Sequence, residues 1–168
     1  IVFASTNSYL GTSIFQGYLC IFSGGYINRS AAGSANNVGV LSHVYYVATD
    51  GTPTFKNYYP ASTTALGSGA IEAYIYDDPN QMFVVQADGA SAVTCIGRNA
   101  DTDGIGGSTT TGVSTRELDS STIATTQGLQ LKIVGVVQDD TNGDLTADNA
   151  NLVVIINEHA YRGPVAGT

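Results

Sequence analysis

Apolar residues in this chain gather in short runs divided by clusters of Gly, Asp, Asn, Ser and Thr, a rhythm that predicts strands and not helices. SIFQGYLCIF (13–22) predicts a strand ended by Gly24-Gly25. GVLSHVYYVAT (39–49) predicts another, closed by the strong turn signal Asp50-Gly51, with TFKNYY (54–59) returning as the second arm of a hairpin until Pro60 stops it. AIEAYIY (70–76) alternates well. DDPN (77–80) then reverses the chain, because Pro79 fixes φ while Asp78 and Asn80 favour turns, and QMFVVQA (81–87) is expected to pair with the strand before it. AVTCIG (92–97), LQLKIVGVVQ (129–138) and NLVVIINEH (151–159) complete the set.

Residues 24–37 and 98–128 are polar, glycine-rich and without strong period. Loops of that length inside a compact domain usually carry function or touch a partner. Within the second, STRELDSSTIA (114–124) suits a short turn of helix or a strand equally. Runs such as LVVII and MFVV are apolar at nearly every position, as strands covered on both faces are; the cover is a second sheet plus a loop or a neighbouring subunit. The pattern predicts one all-β domain over 1–168, a β-barrel or β-sandwich with long polar loops and little helix.

Composition narrows the function. Charged residues make up only 12% of the 168, about half the usual quarter, and 43% are apolar, so the chain is not of the disordered class. Low charge also points to a surface partly covered by neighbours. The net charge is −8, and the two lysines (Lys56, Lys132) and four arginines (Arg29, Arg98, Arg116, Arg162) are scattered, so a nucleic-acid partner is disfavoured. No apolar run approaches the roughly 20 residues of a membrane span, and no signal peptide is evident. Cys20 and Cys95 both lie in apolar runs, which suits buried thiols as well as a single bridge; with no CxxC pair, a cysteine zinc site is excluded.

The one stretch with metal-like spacing is DDTNGDLTADNAN (139–151). Asp140, Asn142, Asp144 and Asp148 fall at positions one, three, five and nine of a calcium loop. Position six is Leu145 where the sharp turn needs glycine, and position twelve is Asn151, which cannot offer a bidentate carboxylate. The loop therefore reads as a connection between strands with Asn142-Gly143 at its tip, and no metal or cofactor is expected. DTDGIGGSTTTG (101–112) lacks the lysine and spacing of a phosphate loop. His43 and His159 are the only histidines, the first inside an apolar strand, and no G-x-S-x-G elbow accompanies the many serines. Asp77 and Asp78, like Asp139 and Asp140, are adjacent and point apart in extended backbone. Asn28-Arg29-Ser30 matches a glycosylation sequon of a kind common by chance. These absences predict a protein that is not an enzyme.

FKNYYPASTT (55–64), AYIYDDPNQMFVVQADG (73–89) and LTADNANLVVIINEHAY (145–161), in that order, resemble small head proteins of tailed bacteriophages, the decoration or cement proteins of the virion. The resemblance touches about a quarter of the chain directly and includes no catalytic motif. It implies a β-rich domain, often a homotrimer, on the outer surface of the head, bound to the major capsid protein and bridging its subunits. An acidic chain suits the outside of the shell better than the DNA-filled inside. An apolar N-terminal arm within 1–10, led by Ile1, Val2 and Phe3, is expected to drape over a neighbour or add a strand to its sheet, with Tyr58 and Tyr59 as flat contact residues. The alternatives are a secreted or surface carbohydrate-binding β-module, against which the absence of Trp counts, and a calcium-stabilised hydrolase-like domain.

Overall fold

The computed structural model describes residues 2–4, 11–67, 71–104, 106–138 and 144–162, the first three by backbone alone. Its strands are β1 (Val2–Ala4), β2 (Leu19–Ser23), β3 (Tyr26–Arg29), β4 (Asn37–Val47), β5 (Pro53–Lys56), β6 (Ile71–Tyr76), β7 (Met82–Gln86), β8 (Asn99–Ala100), β9 (Leu131–Val136) and β10 (Asn151–Ile156). They form two antiparallel sheets in a sandwich. The larger runs β1-β6-β4-β2-β3 with β5 also on β4; the smaller runs β7-β10-β9-β8. The expected β4–β5 hairpin is present, with Val47 opposite Pro53.

Three expectations fail for local reasons. The stretch after Gly24-Gly25 is not all loop: φ values of 58° and 82° at the two glycines allow the tight primed turn that returns β3 along β2, with Ser23 opposite Tyr26. Residues 70–76 and 81–87 do not pair. Both edges of β6 are taken by β1 and β4, so DDPN carries the chain across to the other sheet, where β7 joins β10. AVTCIG is no strand either; Val93–Cys95 is a 3-10 turn that drops Cys95 into the core and leaves Val93 and Ile96 exposed.

Neighbouring residues show how the larger sheet divides the interior. Cys20 and Leu41 belong to one apolar cluster, whereas Leu19 belongs to a second and Val40 packs against it. One face of this sheet is covered by segments carrying Ile14, Phe15, Tyr59 and Ala65, the other by the smaller sheet. Burial on both faces over 37–41 explains the apolar continuity of that part of β4, whose cover comes from the chain itself. The cysteines lie in different clusters and are free thiols; burial pushes Cys20 up to about 12, so its thiolate has no role near neutrality.

The long polar segments are tied down by side chains. Gln130 is fully buried, donates through Nε2 to Ser30 Oγ and Ala31 O at 2.9 Å each, and accepts at Oε1 from the Thr102 hydroxyl at 2.9 Å and the Thr102 N–H at 3.1 Å. Ser30 in turn donates to Asn37 Oδ1 at 2.6 Å. Leu118, in the middle of 98–128, is buried beside the edge of β7, where its N–H donates to Gln86 O.

His159 closes the end of β10 and is buried. Its Nδ1 accepts from the Tyr161 N–H at 3.1 Å, while Nε2 finds no partner among the described residues. Burial, helped by Arg162 and opposed by Asp77 and Asp78, holds its pKa below the ordinary 6.5. A depressed histidine leaves stability intact above the unfolded value. As pH falls below about 6.5 the unfolded chain takes the proton first, and stability declines until the folded pKa is reached. Thermal midpoints measured from about pH 7.5 to 5.0 should therefore fall, and more steeply than in His159→Gln; parallel slopes would show that His159 is not the group responsible.

Candidate functional site

The side chains available for recognition lie mainly on two exposed sheet surfaces. The first is the outer face of the smaller sheet. Alternation along β7 turns Phe83 and Val85 inward and leaves Met82 and Val84 exposed at 60% and 63%. Register places Met82, Ile155 and Lys132 in one row across β7, β10 and β9, and Val84, Val153 and Gly135 in the next. Val134, displaced by a bulge opposite Val153/Val154, is also exposed. Lys132 is the only charge on these rows. MFVV thus presents a bare apolar face where its sequence suggested cover on both sides.

β7 is also an edge strand. Its Ala87 end is bonded to β10 through Ala150 O, so the ladder alternation points the N–H and C=O of Val84 away from β10. Natural edges are commonly blunted by charge or proline, and MFVVQ has neither.

The second surface is an aromatic strip on the larger sheet. His43 and Tyr74 stack at 4.3 Å, Tyr45 and Phe55 meet at 4.6 Å, and Glu72 sits opposite Tyr45. Tyr74 donates its hydroxyl to Glu72 Oε2 at 3.1 Å, which holds the phenol above its ordinary pKa. The strip continues the face that buries Val40 farther along β4, where the smaller sheet covers it. Its period-two spacing (His43/Tyr45, Glu72/Tyr74) is visible in the sequence, but pairing between strands assembles it. Ser42 Oγ lies 3.1 Å from His43 Nδ1, yet Glu72 is engaged by Tyr74, so these groups form no nucleophile–base–acid relay.

The residues expected to touch a partner are placed differently. Tyr59 is 3% exposed and bridges to Ile14, within the loop layer over the larger sheet, while Tyr58 is half-buried and stacks on Phe15 at 5.2 Å. Val2 and Phe3 belong to β1, which pairs with β6 of the same chain, so this part of the arm extends its own sheet; Ile1 lies outside the described residues.

Of the calcium-like loop, Asp140 and Asn142 lie outside the described residues. Asp144 caps its own turn, accepting from the Thr146 N–H at 2.9 Å and hydroxyl at 2.6 Å, bonds that lower its pKa. Asp148 is exposed, and Leu145, at the position where a calcium loop turns on glycine, is buried in the second cluster. Among the described residues no three His, Cys, Asp or Glu side chains gather as a metal site. In the glycine-rich candidate, Asp101 accepts from the Gln130 N–H at 3.0 Å, a structural use. Ser30 of the sequon is buried in the Gln130 network. No protein-family model, curated protein or solved structure matches this chain.

Proposed function

We propose that this chain is a non-enzymatic structural protein of a tailed-phage head, a decoration or cement protein that binds the outer surface of the shell and bridges major capsid subunits, as a homotrimer. The observation that carries the reading is the apolar outer face of the smaller sheet, with Met82 and Val84 bare on an uncharged edge strand. Covering each of these side chains contributes about 1.5–3 kcal/mol, and a lattice repeats that gain many times. The low charge and the resemblance of the three stretches point the same way.

The test is to purify particles on a density gradient and quantify the chain against the major shell protein by mass spectrometry. A fixed ratio, with release by mild denaturant before the shell dissociates, is expected. Val84→Lys should leave the fold intact, because its side chain is exposed, and should reduce occupancy at least tenfold, the factor that corresponds to about 1.4 kcal/mol. A chain found free of particles would overturn the proposal. That outcome would favour a second reading, a carbohydrate-binding module using the aromatic strip of Tyr45, Phe55 and Tyr74 beside Glu72. Glycan-array binding lost in Phe55→Ala would then be the expected result.

A further inference from the structure

The outer edge of β7 is open over a short, defined length. The Ala87 N–H donates to Ala150 O, so by ladder alternation Phe83, Val85 and Ala87 bond to β10. Met82, Val84 and Gln86 therefore turn their N–H and C=O groups outward. Leu118 agrees with that parity and ends the opening: its N–H donates to Gln86 O, and its own C=O accepts from the Asp88 N–H. At the other end the strand begins from a turn, closed by the Gln81 N–H on Asp78 O. Between these two stops, the N–H and C=O of Val84 and the N–H of Met82 have no hydrogen-bond partner among the described residues. Met82 O carries one bond, from Gln81 Nε2 at 2.8 Å.

We propose that this edge pairs with the same edge of a second copy of the chain, antiparallel about a two-fold axis at Phe83. Val84 then lies opposite the second copy's Met82. The Val84 N–H donates to Met82 O, Val84 O accepts from the Met82 N–H, and the two-fold repeats both bonds. A carbonyl oxygen has two lone pairs, so Met82 O holds Gln81 and the new donor together. Neighbouring registers fit worse. An axis at Val84 would set Met82 against Gln86, whose carbonyl Leu118 already occupies; an axis at Met82 would set Val84 against Asn80, in the turn.

Length, packing and charge all select a second copy as the occupant. A longer extended strand would run into Leu118, whereas the second copy leaves the ladder beyond Gln81, opposite Val85. Met82 and Val84, 60% and 63% exposed, come side by side on the outer face, each covering part of the other. The chain carries a net charge of −8, yet residues 81–86 include no charge, so two acidic copies meet where they repel least. The product is one continuous sheet through both molecules, with the four strands of each smaller sheet and an apolar outer face. A two-fold ladder cannot close a ring of three, so it joins protomers of neighbouring trimers. The pairing uses the backbone of the edge and forms without a shell, so it stands apart from the capsid assignment.

Sedimentation equilibrium of the purified chain beside Val84→Pro tests the pairing. Proline removes the outward N–H, keeps an apolar side chain on the face and leaves the β10 ladder intact. The unaltered chain should reach twice the mass of the variant, and the variant should need at least about tenfold more protein to match it. Equal masses at every concentration up to about 1 mM would overturn the proposal. Should the variant fail to fold, a mixture of isotope-labelled and unlabelled chain decides the matter by NMR. Facing Hα atoms of a non-hydrogen-bonded pair lie close, so a contact between the Phe83 Hα atoms of the two chains supports the register. Its absence refutes it. Amide exchange at Val84 that slows on adding phage particles, and not on concentrating the chain, would give the edge to a capsid strand and refute the pairing as well.

Discussion

Gln130→Leu is expected to destabilise the fold by about 3–5 kcal/mol, the largest loss foreseen for a side-chain change of similar volume in this protein. The amide is fully buried and uses both ends: Nε2 on Ser30 and Ala31, Oε1 on the hydroxyl and N–H of Thr102. Leucine fills the space but leaves the N–H and hydroxyl of Thr102 without their acceptor, whereas the Ala31 carbonyl keeps the Ser34 N–H. Each orphaned buried group costs about 1–3 kcal/mol, and the added apolar surface offsets only part of that. Thr102→Val should cost less, since it removes one hydroxyl and leaves the Oε1 bond to the Thr102 N–H. Urea titration checks both: the midpoint should fall with an unchanged slope. A loss below about 1 kcal/mol for Gln130→Leu would mean that water reaches these groups and that the network does not anchor the loops.

Gly39→Ala is the second severe change, expected at roughly 3–5 kcal/mol. Gly39 lies in β4, between β2 and β6, with φ of +150°. A Cβ there would press into the Tyr76 carbonyl oxygen and the Ile75 side chain, and stand 2.9 Å from the Tyr76 carbonyl carbon. Backbone atoms of a paired strand cannot move aside as a flexible side-chain tip can. Gly51 supplies the control. It too has positive φ, at 87°, but a Cβ would meet nothing within 4 Å, so Gly51→Ala should carry only the conformational cost of about 1–2 kcal/mol. Equal losses at the two sites would reduce the Gly39 effect to backbone conformation and remove the close approach from the explanation.

Much of the architecture was legible because strand formation follows local patterning. The runs 129–138 and 151–159 each contain the strand they suggested, 39–49 overlaps β4, and Asp50-Gly51 marks a real hairpin. β3 was hidden by its polar composition: only Ile27 of YINR is buried, so it has one apolar position and no visible alternation. AVTCIG has strand-like residues, but hydrogen bonds from Cys95 N–H to Ala92 O and from Ile96 N–H to Val93 O close a turn that propensity does not reveal.

Candidate surfaces were less legible, since a surface depends on what fails to be covered. Tyr58 and Tyr59 carry the right chemistry for a contact, yet the pairing of Ile14 with Tyr59 draws that segment over the larger sheet. Met82 and Val84 look like core residues and are exposed because alternation along β7 turns them to the outer face of the smaller sheet. Arg116 carries no motif. Its place is set only where 114–118 runs from a bond with Gln16 to the edge of β7 and the carbonyl of Ser30, distant in sequence, accepts from its Nη1.

By itself the sequence determined the all-β class, the scarcity of helix, the main strands and the acidic, weakly charged character. These follow from composition and from a period of two, properties that neighbouring residues express without reference to the rest of the chain. The tertiary structure decided which strands share a sheet, that DDPN crosses between sheets, and which apolar face stays bare. Those outcomes depend on edges already occupied and on contacts between residues far apart in the chain, and no local pattern encodes them.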